Sequence, residues 1–247
     1  ASAIAAAETQ MYTDQEGMLP LPVPKEISTG EIPALIEEFV QSARHAVEAG
    51  FDGVELHGAN GYLLEQFLNP ASNHRTDEYG GTPAKRNRFV LEVTMAVANA
   101  IGKDKTGIRL SPFGANGEMK ADENTEQQYQ QLAAGLKQIG IVYLHIVDHS
   151  SLGAPAVPQS VKDAIRQAFG ATIILAGGYD ASRGEAALKE GKADLIAYGR
   201  PFLSNPDFVK RISIGAELNQ PDFSTFYTPG EKGYTDYPVL TGSLQEN

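Results

Sequence analysis

The 247-residue chain contains no cysteine. That excludes disulfides, thiolate metal sites, a cysteine nucleophile and iron–sulfur ligation. Basic residues are scarce: 20 Lys and Arg stand against 31 Asp and Glu, a net charge of -11. Such a balance disfavours a surface that coats nucleic acid or is drawn to acidic lipid, but it leaves room for a local basic pocket binding a small anion. No apolar run approaches bilayer-spanning length. The opening ASAIAAAETQ, which lacks an initiator Met, has no basic stretch ahead of an apolar one as a secretory signal requires. The expectation is a cytoplasmic protein with neither membrane nor nucleic acid as partner. Two catalytic patterns are also missing. There is no GxSxG elbow, and the five histidines show no paired ligand spacing, so neither serine hydrolysis nor a zinc site is expected.

What is present, 42% hydrophobic and 21% charged residues, suits a single domain over residues 1–247 with a sizeable core. Residues 1–30 are rich in Pro, Gly and Thr and predict a surface hairpin or loop excursion. Ser28 and Glu31 form a plausible capping box, and Ile32, Leu35, Ile36, Phe39, Val40, Ala43 and Val47 make a helical apolar stripe ending at Gly50. Five short apolar runs follow, FDGVELH, KTGIRLS, IVYLHIV, ATIILAG and ADLIAYG, alternating with helical patterns that stop at glycines such as Gly140 and Gly170.

This alternation predicts an α/β fold with parallel strands and crossover helices. Polar residues at successive strand ends (His57, Arg109, His145 and Asp148) favour a TIM (β/α)8 barrel over an open doubly wound sheet, because a barrel gathers strand ends at one mouth. Five strands would then be strands 4 to 8. The first three are expected from a missing segment or from a second chain, and an oligomer stays open.

Period-two alternation sets Val54 and Leu56 on one face of the first predicted strand and Glu55 and His57 on the other. His57-Gly58-Ala59-Asn60, with Tyr62 just beyond, collects two hydrogen-bonding side chains and a phenol at one strand end. His57 and Asn60 could donate to an oxygen gaining negative charge. Tyr62 could protonate a basic carbanion, or could simply pack ahead of Leu63, Leu64 and Phe67. Arg109, between Ile108 and Leu110, points away from both and needs a partner, either Glu55 or the electron-rich end of a cofactor; spacing does not choose between them. Gly177-Gly178 and Gly199-Arg200 close the last two strands, where barrels commonly hold a phosphate on backbone amides and an Arg. Tight turns alone are the competing explanation.

The string HGANGYLLEQFLNPASNHRTDEYGG, followed by Arg86, Arg88 and Phe89, GIRLSP, LAGGY and YGRPFLSNPD, resembles the old yellow enzyme family of flavin-dependent ene-reductases. The likeness runs from the opening SAI to FYTPGEKGYTDYP. It implies a TIM barrel that binds FMN, is reduced by NADH or NADPH, and passes hydride to the β-carbon of an activated alkene such as an enone, maleimide or nitroalkene. By the same resemblance His57 and Asn60 clamp the substrate oxygen and Tyr62 protonates the α-carbon. Arg109 would lie at the flavin ring, Gly177, Gly178, Gly199 and Arg200 would cradle the phosphate, and Phe226 and Tyr227 would edge the pocket. This sequence departs from the family pattern in lacking its first three barrel strands, with their flavin-contacting threonine and glutamine, and in having Lys85 where Asn is frequent. Two alternatives stand beside this reading: a non-catalytic or partner-dependent barrel fragment, and a TIM-barrel enzyme binding a phosphorylated substrate.

Overall fold

The computed structural model describes residues 1–240 other than 7, 8 and 14. A small antiparallel hairpin, β1 (Gln10–Thr13) and β2 (Gly17–Pro20), comes first and turns Met11 and Met18 to solvent. The Ser28 backbone N–H and Oγ both donate to Glu31 Oε2, each at 2.7 Å, closing the capping arrangement ahead of α1 (Ile32–Glu48). A 3-10 turn, Thr29–Glu31, intervenes before the α-helix proper.

The remaining elements alternate: β3 (Val54–Gly58), α2 (Leu63–Leu68), α3 (Pro83–Ile101), β4 (Thr106–Leu110), α4 (Thr125–Ile139), β5 (Tyr143–Val147), α5 (Gln159–Phe169), β6 (Thr172–Ala176), α6 (Ala181–Lys189) and β7 (Leu195–Ala197). The five predicted strands all form, and α4 and α5 end at Gly140 and Gly170. Strands β3 to β7 pair in parallel and in chain order. Two short helices, α7 (Arg200–Leu203) and α8 (Phe208–Ile214), finish the series. Among the described residues no helix is long and apolar enough to cross a membrane.

Register explains why the two faces of this sheet differ. Leu56, Ile108, Leu144 and Ile173 stand side by side across four strands, are all buried, and share one core with Val90, Val93, Leu132, Leu136 and Ile165 of the covering helices. Full burial of each such side chain stabilises by about 1.5–3 kcal/mol. One residue further along, the row is His57, Arg109, His145, Ile174 and Leu195, on the inner face. Here Glu55 and His57 are exposed and Leu195 is 54% exposed. Among the described residues β3 and β7 each have a single neighbour in the sheet, so no strand lies on their outer sides.

Candidate active site

A cleft of about 700 Å³ lies beyond the carboxyl ends of β3 to β7. Its wall comes from five successive strand ends and from a closing segment near Phe226. Asn60, Arg109, Gly177, Gly178, Gly199, Arg200, Phe226 and Tyr227 all line it, together with Asp148 and His149.

At the β3 end the chain makes a tight, strained turn. Asn60 has φ 60° and Gly61 φ 83°. Of the three non-glycine residues with left-handed φ among the described residues, Asn60 and Tyr227 line the cleft and Phe113 does not. Such backbone persists only where the surroundings over-determine it. Here a buried carboxylate does so: Glu65 accepts the Gly61 N–H at 2.6 Å and the Ser111 hydroxyl at 2.5 Å, while Ser111 Oγ accepts the Asn60 N–H at 2.9 Å. Burial pushes the Glu65 carboxyl up to about 7 against the pull of these two donors.

The Asn60 amide is held as well, its Oδ1 lying 2.7 Å from His149 Nε2. His57 and Tyr62 are neighbours, with ring centroids 4.9 Å apart. Burial and the nearby Arg109 cation hold the His57 imidazole below its usual value, with Glu55 opposing them. These two rings do not line the cleft. They lie at the end of β3, an edge strand of the sheet, and Tyr62 is 55% exposed.

Arg109 sits at the cleft floor. The sequence left it a choice of partners. Glu55 Oε2 is hydrogen-bonded to His145 Nδ1 at 3.0 Å and acts on Arg109 through its charge, without a direct ion pair between the two. His145, expected at the mouth, does not line the cleft: its ring is engaged by Glu55 on the inner face of the sheet. Burial pushes up the Glu55 carboxyl, but the interactions with His145, Tyr143 and the Arg109 cation together hold the group below its ordinary value. Arg109 Nε is buried without a hydrogen-bond partner, and burial lowers the pKa of its guanidinium. A buried cation nitrogen without an acceptor costs stability, and the same side chain lines the cleft.

The far end is built from glycine turns. Gly177 has φ 118°, and a Cβ there would meet Asp148 O at 2.0 Å, so its glycine is required by the close approach of the β5 and β6 ends. Asp148 is itself fixed by Lys162 Nζ at 2.7 Å and by the Ser150 and Val157 amides. Gly199 is different. Its φ of -96° is negative, and a Cβ would meet nothing within 4 Å, so crowding does not require glycine there. Arg200 Nη2 donates to Ser151 Oγ at 3.1 Å, and its guanidinium rests over the Phe223 ring. Phe226 packs on Phe223, while Tyr227, 87% exposed, has its N–H held by the Tyr234 hydroxyl.

The model of the NADH:flavin oxidoreductase / NADH oxidase family matches residues 2–219. The chain belongs to this family. It is 46% identical over 220 residues to 12-oxophytodienoate reductase 2 of Arabidopsis thaliana, covering 88% of this chain and 59% of that protein. It is 42% identical over 241 residues to 12-oxophytodienoate reductase 1 of rice, Oryza sativa subsp. japonica, covering 96% and 63%. Among solved structures, morphinone reductase superposes with a TM-score of 0.94 at 41% identity, covering 99% of this chain and 67% of that one. The old yellow enzyme homologue of Zymomonas mobilis gives 0.91 at 37%, covering 97% and 67%.

The old yellow enzyme resemblance read from the sequence is thus borne out, and β3 to β7 are the fourth to eighth strands of a TIM barrel. The chain spans about 60% of the length of the curated relatives it matches.

Within this flavin oxidoreductase-family chain, three participants escaped the sequence reading. Glu65 and Ser111 read as ordinary helix and strand-end residues, and only their burial together reveals that they hold the Asn60–Gly61 turn. His149 was readable as a polar residue just past the end of β5, but its partner is 89 positions away. Among the described residues there is no cluster of His, Cys, Asp and Glu that could hold a metal ion.

Proposed function

We propose that the working protein is an FMN-dependent ene-reductase that reduces the C=C bond of activated alkenes (enones, maleimides or nitroalkenes) at the expense of NADH or NADPH. The observation that carries this reading is one cleft lined by Asn60, Arg109 and the open backbone at Gly199. Those features suit FMN. Arg109 would meet the electron-rich part of the ring system, and Gly177, Gly178, Gly199 and Arg200 would take its phosphate, with Phe226 alongside. When bound, FMN would supply two-electron hydride chemistry that side chains alone cannot perform.

The chain's own residues would do the rest. His57 and Asn60 donate hydrogen bonds to the substrate's carbonyl or nitro oxygen and stabilise the negative charge that develops there. Tyr62, beside His57 and open to solvent, holds the proton destined for the α-carbon on its hydroxyl. Tyr227 borders the substrate. Residues 1–247 act as a single domain, with the hairpin region 1–30 as an excursion. The exposed inner face at Glu55, His57 and Leu195 supports completion of the barrel by three further strands, in the same chain or a second one.

The test is the visible spectrum of the complete protein, recorded anaerobically before and after NADPH or NADH and then after 2-cyclohexenone. The expected outcome is a flavin band that bleaches and returns. A folded, complete protein that stays colourless after added FMN overturns the reading and favours a barrel enzyme for a phosphorylated substrate.

A further inference from the structure

We propose that His149 is a positioning residue that fixes the orientation of the Asn60 side-chain amide, so that its NH2 group, and not its carbonyl, faces the cleft. The inference rests on the reading of Asn60 as a clamp for substrate oxygen, and it names what makes that clamp selective for hydrogen-bond acceptors.

An asparagine amide presents a donor group and an acceptor oxygen of nearly identical shape. Free to rotate, it would meet a substrate carbonyl with its own oxygen part of the time, and two oxygens repel. In this structure Oδ1 is already committed, 2.7 Å from His149 Nε2. Only a proton on Nε2 makes that contact attractive, so His149 is the donor, and the Asn60 Nδ2 hydrogens are left for a ligand.

The backbone beneath is fixed independently by Ser111 Oγ on the Asn60 N–H, so the side-chain torsions are what His149 settles. The arrangement survives a change of charge on His149, because neutral and protonated rings can both donate from Nε2. Burial and the cations Arg109 and Arg200 hold its imidazole below the usual value, with Asp148 opposing them. His149 itself is half-buried in the cleft wall. With His57 also donating, the site offers donors from two directions. Carbonyl, nitro and phenolate oxygens fit it, and a ligand that must donate at this point does not.

A double-mutant cycle tests the assignment in the oxidised, FMN-loaded, complete protein, with calorimetric affinity for p-nitrophenol as the readout and thermal unfolding as the control for folding. Asn60→Ala should weaken binding. His149→Phe should weaken it about five- to tenfold, the worth of one orienting hydrogen bond. His149→Gln, which offers an N–H at similar reach, should stay within about twofold of the parent. The double variant Asn60→Ala/His149→Phe should bind no more weakly than Asn60→Ala, since a residue that acts through Asn60 has nothing left to orient.

Parent-like binding by His149→Phe while Asn60→Ala is weak overturns the proposal and leaves the clamp standing. So does a His149→Gln variant as weak as His149→Phe, which would assign His149 to packing, and so do additive losses. Unchanged binding by Asn60→Ala removes the clamp itself. If His149→Phe does not fold, His149→Ala takes its place in the cycle with the same expectations.

Discussion

The two ends of the cleft are made in opposite ways. At the β3 end the structure supplies side chains: His57, Asn60 and Tyr62 leave one strand together, and a second set, Glu65, Ser111 and His149, holds the turn in place through hydrogen bonds of 2.5–2.9 Å. At the β6–β7 end it supplies their absence: Gly177 lets the Asp148 carbonyl approach, and Gly199 leaves open space where a side chain would begin. Directional donors that meet one small oxygen need rotamers locked by neighbours, which costs buried polar groups. An anion with several oxygens can be met by amides that are already part of the chain, and there the requirement is room. The β3 end should therefore fail by loss of orientation or of a proton, and the glycine end by obstruction.

Tyr62→Phe is expected to have the largest effect. Reduction of weakly activated alkenes should fall about 10²–10⁴-fold, the range for a positioned general acid, while flavin reduction by nicotinamide stays intact. Stopped-flow measurement of the two half-reactions separates these outcomes, and equal loss in both removes Tyr62 from the proton-donor role.

Gly177→Ala comes next. It forces φ 118° on a residue with a Cβ and drives that Cβ into Asp148 O, so urea unfolding should show a loss of about 2–4 kcal/mol.

Glu65 carries a pH dependence. The folded protein holds its proton more tightly than the unfolded chain does, with a value raised from 4.5 to about 7. Stability should accordingly decline as pH rises through that window, by about 3 kcal/mol at most. Glu65→Gln should flatten the decline in urea titrations at pH 5 and pH 8, and a slope identical to the parent's would show that Glu65 is not its source.

Gly199→Ala should be the mildest. Unfolding should shift by no more than about 0.5 kcal/mol, because the added methyl meets nothing, whereas FMN affinity should drop about tenfold if the phosphate lies against this backbone. Unchanged affinity would move the phosphate elsewhere.

Legibility in the sequence followed the same divide. The glycine turns could be read directly, because each sits at the end of an apolar run and needs no partner to be recognised. His57, Asn60 and Tyr62 were readable as a group because three neighbours in sequence leave one strand. The residues that hold them were not. Glu65 reads as an exposed helix charge until α2 is packed beneath the turn, and Ser111 and His149 belong to other strand ends, 51 and 89 positions from Asn60.

The sequence by itself determined the five βα units, the helix ends at Gly140 and Gly170, and the division of β3 into an apolar and a polar face. Those properties depend on periods of 2 and 3.6 residues and on local turn chemistry, all within a few positions of one another. Tertiary structure alone decided that Glu55 pairs with His145 and leaves Arg109 Nε unpartnered, that Glu65 is buried, and that His149 reaches Asn60. Each of these rests on strand register and on which side chains the fold brings within reach of one another, and a pattern along one segment carries no information about either.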